Sequence, residues 1–177
     1  DAFLSALCEI EPQIAVMIIA GNHDSARRID FASSILAKHE VYIAGLPPMQ
    51  EGETIRRVTL ADGYGEVDFY LLPFVKPSMV KQVVGVDENG NNLSYNETLH
   101  RLIGREEIDE NDRNVLVSHQ FYLPVGKKAD EIERMESEIC TVGNIDEISA
   151  DVLEIFDYAA LGHIHKPMKA GSENWRY

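Results

Sequence analysis

The run Ile14 to Ala20 is continuously apolar, rich in Val and Ile, and stopped by Gly21. Seven residues are too few for an independent helix, so the run predicts a strand buried on both faces. The polar tetrad Gly21-Asn22-His23-Asp24 follows. Beyond it, Ser25 to His39 has helical spacing, with Asp24 or Ser25 as N-cap and Ile29, Ala32 and Leu36 on one stripe. Strand, turn and helix in that order make an α/β unit. Two later segments repeat the strand pattern: Arg113 to Ser118, around Val115-Leu116-Val117, and Tyr158 to Leu161. Thr54 to Leu60 and Glu66 to Val75 read as antiparallel strands joined through Asp62-Gly63-Tyr64-Gly65, and Val41 to Ala44 as a short strand. The sheets are therefore expected to be mixed.

Three helical segments complete the pattern. Ala2 to Ile10 places Phe3, Leu7 and Ile10 on one face, and Pro12 bars continuation. Ser94 and Glu97 form a capping box ahead of a helix to about Arg105, and Ser149 caps a short helix to Phe156. Asp87 to Asn92 is a polar loop, and Val125 to Ser137 is expected to be a mobile surface loop. With 177 residues, no internal repeat and no linker, residues 1–177 read as one domain.

Charge and composition restrict the function classes. The net charge of -14 repels polyanions and excludes a generic nucleic-acid coat, so a phosphate ligand must be held locally, as a divalent cation would do. No apolar run approaches the roughly 20 residues needed to cross a bilayer, and no basic segment precedes an apolar one at the start. The expectation is a cytoplasmic protein without a membrane partner. The opening Asp1 suggests a piece of a longer chain. Cys8 and Cys140 form no C-x-x-C pair and read as small buried hydrophobes.

Each of the three buried strands delivers a metal-capable side chain: Asn22, then His119, then His163 and His165. In open α/β sheets ligands gather at the carboxyl ends of strands, so these residues are expected to converge. Imidazoles with an amide oxygen suit Mn, Fe or Zn, whereas Mg prefers oxygen donors. An extended H-x-H segment puts both imidazoles on one side, for one ion or two neighbouring ones. His39 and His100, inside helical segments, read as packing or surface residues. His23 would donate a proton to a leaving oxygen or stabilise charge on a phosphoryl centre, with Asp24 holding its ring, capping the helix, or both. A phosphate would suit the amide groups of the same turn. Arg27, Arg28, Lys127, Lys128, Lys166 and Lys169 flank these segments and either track a phosphate backbone or are simply solvated. Asn96-Glu97-Thr98 matches a glycosylation pattern but belongs to the capping box, and is set aside.

Gly21-Asn22-His23-Asp24-Ser25, Val117-Ser118-His119-Gln120 and Ala160-Leu161-Gly162-His163-Ile164-His165-Lys166-Pro167 resemble the third, fourth and fifth motifs of the calcineurin-like metallophosphoesterases, in order. With Leu71-Leu72-Pro73-Phe74, the wording is most similar to the SbcD-type nuclease subunits. That resemblance implies a four-layer α/β/β/α sandwich of two mixed sheets with helices outside. It implies that Asn22, His119 and His163 bind one Mn ion, that His165 binds a second, and that His23 with Asp24 is the catalytic dyad. It implies a metal-dependent DNA nuclease acting on DNA ends in repair and recombination, an SbcC-type SMC-like ATPase partner, and a homodimer. The family's first motif, D-x-H, and its second, G-D-x-x-D, have no counterpart in the chain, so the fragment alone is expected to bind metal weakly and hydrolyse DNA negligibly. Two other readings stand beside it: a metallophosphoesterase of small phosphodiesters, and a dimerisation or scaffold module without turnover. Phe31 and Ile35 lie on a face adjoining the Ile29 stripe; either a second copy covers them, or the Ala2 to Ile10 helix or a further N-terminal element of the same chain does.

Overall fold

A computed structural model describes residues 2–127 and 147–177. Strand β1 (Val16–Ile19) pairs in parallel with β2 (Val41–Ala44), Val16 opposite Val41 and Ile19 opposite Ala44. Strands β3 (Arg56–Asp62) and β4 (Gly65–Leu72) form an antiparallel hairpin whose last pair is Asp62 and Gly65. Three further strands join β4 in parallel, β5 (Arg113–Ser118), β8 (Tyr158–Leu161) and β9 (Trp175–Arg176), giving the order β3-β4-β5-β8-β9. A separate parallel pair is made by β6 (Phe121–Leu123) and β7 (Glu147–Ser149). The mixed character expected of both sheets lies in the five-stranded one; the β1-β2 sheet is parallel among the described residues.

The side-chain alternation of β4 and β5 explains the layering. Phe69, Leu71 and Val117 face one way, onto Met17, Ile19, Tyr42 and Ala44 of the small sheet. Tyr70, Leu72 and Leu116 face the other way, into the main core beneath α4 (Pro77–Val84) and α5 (Tyr95–Gly104). Leu99 and Leu102 of α5 are fully buried there, each side chain contributing about 1.5–3 kcal/mol. On the outer side of the small sheet, α2 (Ala26–Asp30) and α3 (Ser33–Leu36) lie over β2. Helices, sheet, sheet and helices thus follow one another as expected. The Arg56 guanidinium donates to the Ile43 carbonyl and ties the two sheets together.

Several local expectations need correction. Strand β1 is half-buried along its whole length, not enclosed on both faces, because among the described residues β2 is its one strand neighbour and the outer helices cover β2. The single helix expected over Ser25 to His39 is broken into α2, α3 and a 3-10 turn at Ala37–His39, with Ala32 non-helical. Asp30 and Ser33-Ser34 favour turns and caps over helix interiors, and the Asp30 carboxylate accepts the Gly45 amide at 3.2 Å. Helix α1 (Ala2–Cys8) packs through Leu4 and Leu7, leaving Phe3 and Ile10 exposed. Cys8 is likewise exposed, at the end of α1 beside a cavity it shares with Leu4 and Leu36. The segment after Ser149 is a 3-10 turn, Ala150–Leu153, and not a helix to Phe156. Cys140 and most of the Val125 to Ser137 loop lie outside the described residues.

The capping box at Ser94 forms in full, the Ser94 hydroxyl accepting from the Glu97 amide and the Glu97 carboxylate accepting from the Ser94 amide. Asn96 turns its side-chain oxygen to the Ser149 amide at 2.9 Å. Helix α4 went unread in the sequence, although Pro77 stands at its first turn, Val80 and Val84 are its buried pair, and Gly85 closes it at φ 85°. Among the described residues no helix is long and apolar enough to cross a membrane.

Candidate metal centre

Parallel pairing brings the strand ends to one level. Ser118 stands opposite both Leu72 and Leu161, so Pro73, His119 and Gly162 leave the sheet side by side. The Gly162 amide donates to the Ser118 carbonyl at 2.8 Å, and the Phe74 amide donates to the Ala20 carbonyl at 2.9 Å. That second bond ties the end of β1 to the end of β4, across two different sheets, and puts Gly21-Asn22 beside His119.

His119 is the centre of what results. Its Nε2 stands 3.1 Å from Asn22 Oδ1, although 97 residues separate the two. The His163 ring lies edge-on to it, centroids 5.5 Å apart at 85°. Phe74 stacks on His163 at 6.3 Å and 9°, and meets His119 edge-on at 6.4 Å. Phe121 lies tilted to His163, centroids 6.0 Å apart at 43°. Both flanking glycines make room for the His119 ring. A Cβ on Gly21 would sit 2.7 Å from His119 Cε1, and one on Gly162 would sit 2.6 Å from Nδ1. His163 itself has φ 99°, a left-handed conformation that a side chain with a Cβ seldom adopts and that clusters at functional sites.

Electrostatics set the state of the ring. Burial first, then the neighbouring His163, push the His119 pKa down to about 4; Asp24 opposes this, while His165 and His23 lower it further. His119 is therefore a neutral imidazole at neutral pH, the form that ligates metal. Two ligands on one ion, each with a bond of about 2.1 Å and roughly at right angles, stand about 3 Å apart. The Asn22–His119 separation matches that spacing, and an amide oxygen with neutral imidazoles is a donor set for a borderline cation. Among the described residues no three His, Cys, Asp or Glu side chains already stand at ligating separation.

The other expected site residues are placed as follows. His165 and Lys166 are exposed on the loop after β8. His23 is exposed in the turn after Asn22, and Asp24 neither caps α2 nor bonds the His23 ring. Ser25 is the N-cap, and the Asp24 carboxylate accepts the Gly21 amide at 2.7 Å, closing the turn that carries His23. With α2 only five residues long, the turn has little helix behind it to hold an anion. Arg27 and Arg28 are exposed on α2, where Arg27 borders a cavity with Pro47, Pro48 and Arg56. Lys127 is exposed beyond β6, Lys169 is paired with Glu173, and Lys128 lies outside the described residues. Sequence reasoning missed Phe74 and Phe121 as walls of the site, since nothing in their spacing distinguishes them from core aromatics.

No protein-family model matches the chain. It is 29% identical over 174 residues to the SbcD subunit of the SbcCD nuclease of Staphylococcus saprophyticus, a match covering 97% of this chain and 42% of that protein. The chain thus spans less than half the length of that relative. Along nearly its whole length the chain is similar to an SbcD-type nuclease subunit, and its layered α/β architecture is consistent with a metallophosphoesterase-like fold.

Proposed function

We propose that the chain forms part of a metal-dependent DNA nuclease subunit that hydrolyses phosphodiester bonds at DNA ends with an SbcC-type SMC-like ATPase as partner. The observation that carries this reading is the 3.1 Å approach of His119 Nε2 to Asn22 Oδ1 beside His163, at strand ends drawn from both sheets. Similarity to a protein named as a nuclease subunit supports the choice of reaction.

Asn22, His119 and His163 would hold one ion, and His165, exposed on the adjoining loop, would contribute to a second. Bound divalent ions, two manganese ions in this reading, supply Lewis acidity toward the phosphoryl oxygens and toward an attacking water. The neutral state of His119 leaves one ring nitrogen with a free lone pair, and in the tautomer that carries its proton on Nδ1 that nitrogen is Nε2, beside Asn22. His23, exposed on the turn closed by the Gly21–Asp24 bond, is free to reach a leaving oxygen and protonate it. Asp24 orients that turn through the Gly21 amide, and its charge opposes the lowering of the His119 pKa. Arg27, Arg28, Lys127, Lys128 and Lys166 are the candidate contacts to the phosphate backbone. Phe31 and Ile35, which α1 leaves uncovered, form the surface through which two copies would pair.

The test uses the intact protein, linear duplex DNA and Mn. Digestion is expected to stop on chelation and to resume when Mn is restored. His23→Ala should lower turnover on the order of 10²-fold with metal content unchanged. Digestion that persists without any divalent ion would refute the reading, and equal loss of metal in His23→Ala would make His23 a ligand.

A further inference from the structure

We propose that Phe74 is a positioning residue, whose flat ring sets the relative orientation of the His119 and His163 imidazoles. The proposal rests on the metal-centre reading for its consequence, though not for its geometry. Three ties meet at Pro73-Phe74. The Phe74 amide donates to the Ala20 carbonyl at 2.9 Å, at the end of β1. The Pro73 carbonyl accepts from Gln120 Nε2 at 3.0 Å, and Gln120 is 1% exposed and follows His119 directly. The Phe74 ring itself lies within 6.3 Å and 6.4 Å of the two imidazole centroids. One residue therefore touches the ends of β1, β5 and β8 at once.

Backbone geometry leaves the imidazole planes undetermined. The strand ends fix where His119 and His163 begin, but rotation about the Cβ–Cγ bond decides where their nitrogens point. Gly21 and Gly162 restrict that rotation for His119. For His163 the ring walls are Phe74 and Phe121, and the 9° stack on Phe74 is a contact that only a planar side chain can make. An aliphatic residue of similar volume would fill the space and keep both backbone ties while giving up the plane. The two imidazoles stand at 85°, so a turn of either one changes the direction its nitrogens face relative to the other ring. Supports of this kind around a metal commonly matter about 10–100-fold in affinity.

The decisive comparison is Phe74→Leu against Phe74→Tyr in the intact protein, with ring-labelled histidine followed by NMR in the metal-free state and Mn uptake measured by calorimetry. Phe74 is half-exposed, so a tyrosine hydroxyl has a route to water. Phe74→Tyr is expected to keep the ring-current-shifted His163 signals and near-native Mn affinity. Phe74→Leu is expected to move those signals toward exposed-histidine positions and to weaken Mn binding about tenfold, with the fold intact by circular dichroism. If Phe74→Leu matches the wild type in both measurements, or if Phe74→Tyr fails as badly as Phe74→Leu, the proposal is overturned. If the wild type takes up no Mn, or His119→Ala binds it equally well, the metal reading falls, and the His163 signals still decide the role of Phe74.

Discussion

Gly162 shows how much of the site depends on an atom that is not there. Its φ is not in the left-handed range, so alanine is acceptable to the backbone, and the obstruction is the His119 ring alone. A ring at the end of a side chain yields more cheaply than a backbone does. Gly162→Ala is therefore expected to cost no more than about 1–3 kcal/mol in urea denaturation while weakening Mn binding at least about tenfold by calorimetry. Native affinity in the folded variant would show that the cradle is not what holds His119 in place. In the sequence both glycines were visible just ahead of the candidate ligands. What they do there was not, because close approach by a residue 98 positions from Gly21 and 43 from Gly162 has no local signature. Asp24 is a related case: its place beside His23 suggested a partner for that ring, but the nearest unsatisfied donor was the Gly21 amide.

At the scale of elements, the joint between α2 and β2 is the most constrained. A Cβ on Gly45 would lie 2.3 Å from the Ala26 carbonyl oxygen and 2.7 Å from Asp30 Cβ. Backbone cannot swing aside as a ring can, so relief requires α2 itself to move, and α2 continues directly from the turn bearing Asn22 and His23. Gly45→Ala is expected to destabilise the protein by about 1–3 kcal/mol, read from its urea midpoint. A variant as stable as the wild type would mean that α2 is not held against β2 in solution. Elements whose signals are local were legible in advance: the Ser94–Glu97 box, the β3-β4 hairpin, and the strands β5 and β8. The break between α2 and α3 was not, because the stripe of Ile29, Ala32 and Leu36 survives it. All three remain half-buried, and it is the Asp30–Gly45 bond, between segments far apart in the chain, that competes with a continuous helix.

For the whole molecule the open question is what covers the exposed aromatic and aliphatic side chains. Phe31 is 89% and Ile35 65% exposed, and α1, which carries its own exposed Phe3, does not shield them. A net charge of -14 opposes self-association at long range, so pairing would depend on burying such apolar surface. The Phe31→Glu/Ile35→Glu double variant of the intact protein is expected to run at the monomer mass in light scattering, with a thermal melt close to that of the wild type. A dimer that persists in the folded double variant would place the interface elsewhere.

Local chemistry determined much by itself. Apolar runs too short for helices, each stopped by a glycine or a polar residue, imposed an α/β architecture, and the residues just after those runs marked Asn22, His119, His163 and His165 as a group. These inferences needed only hydrophobic periodicity and the reach of a strand end. Tertiary structure alone decided that β1 and β4, in different sheets, are tied through Ala20 and Phe74, that Phe74 and Phe121 both pack near His163, and that burial lowers the proton affinity of His119. The physical reason is the same in each case: orientation, desolvation and close approach are properties of pairs of segments, and the pairs are made only when the sheets pack.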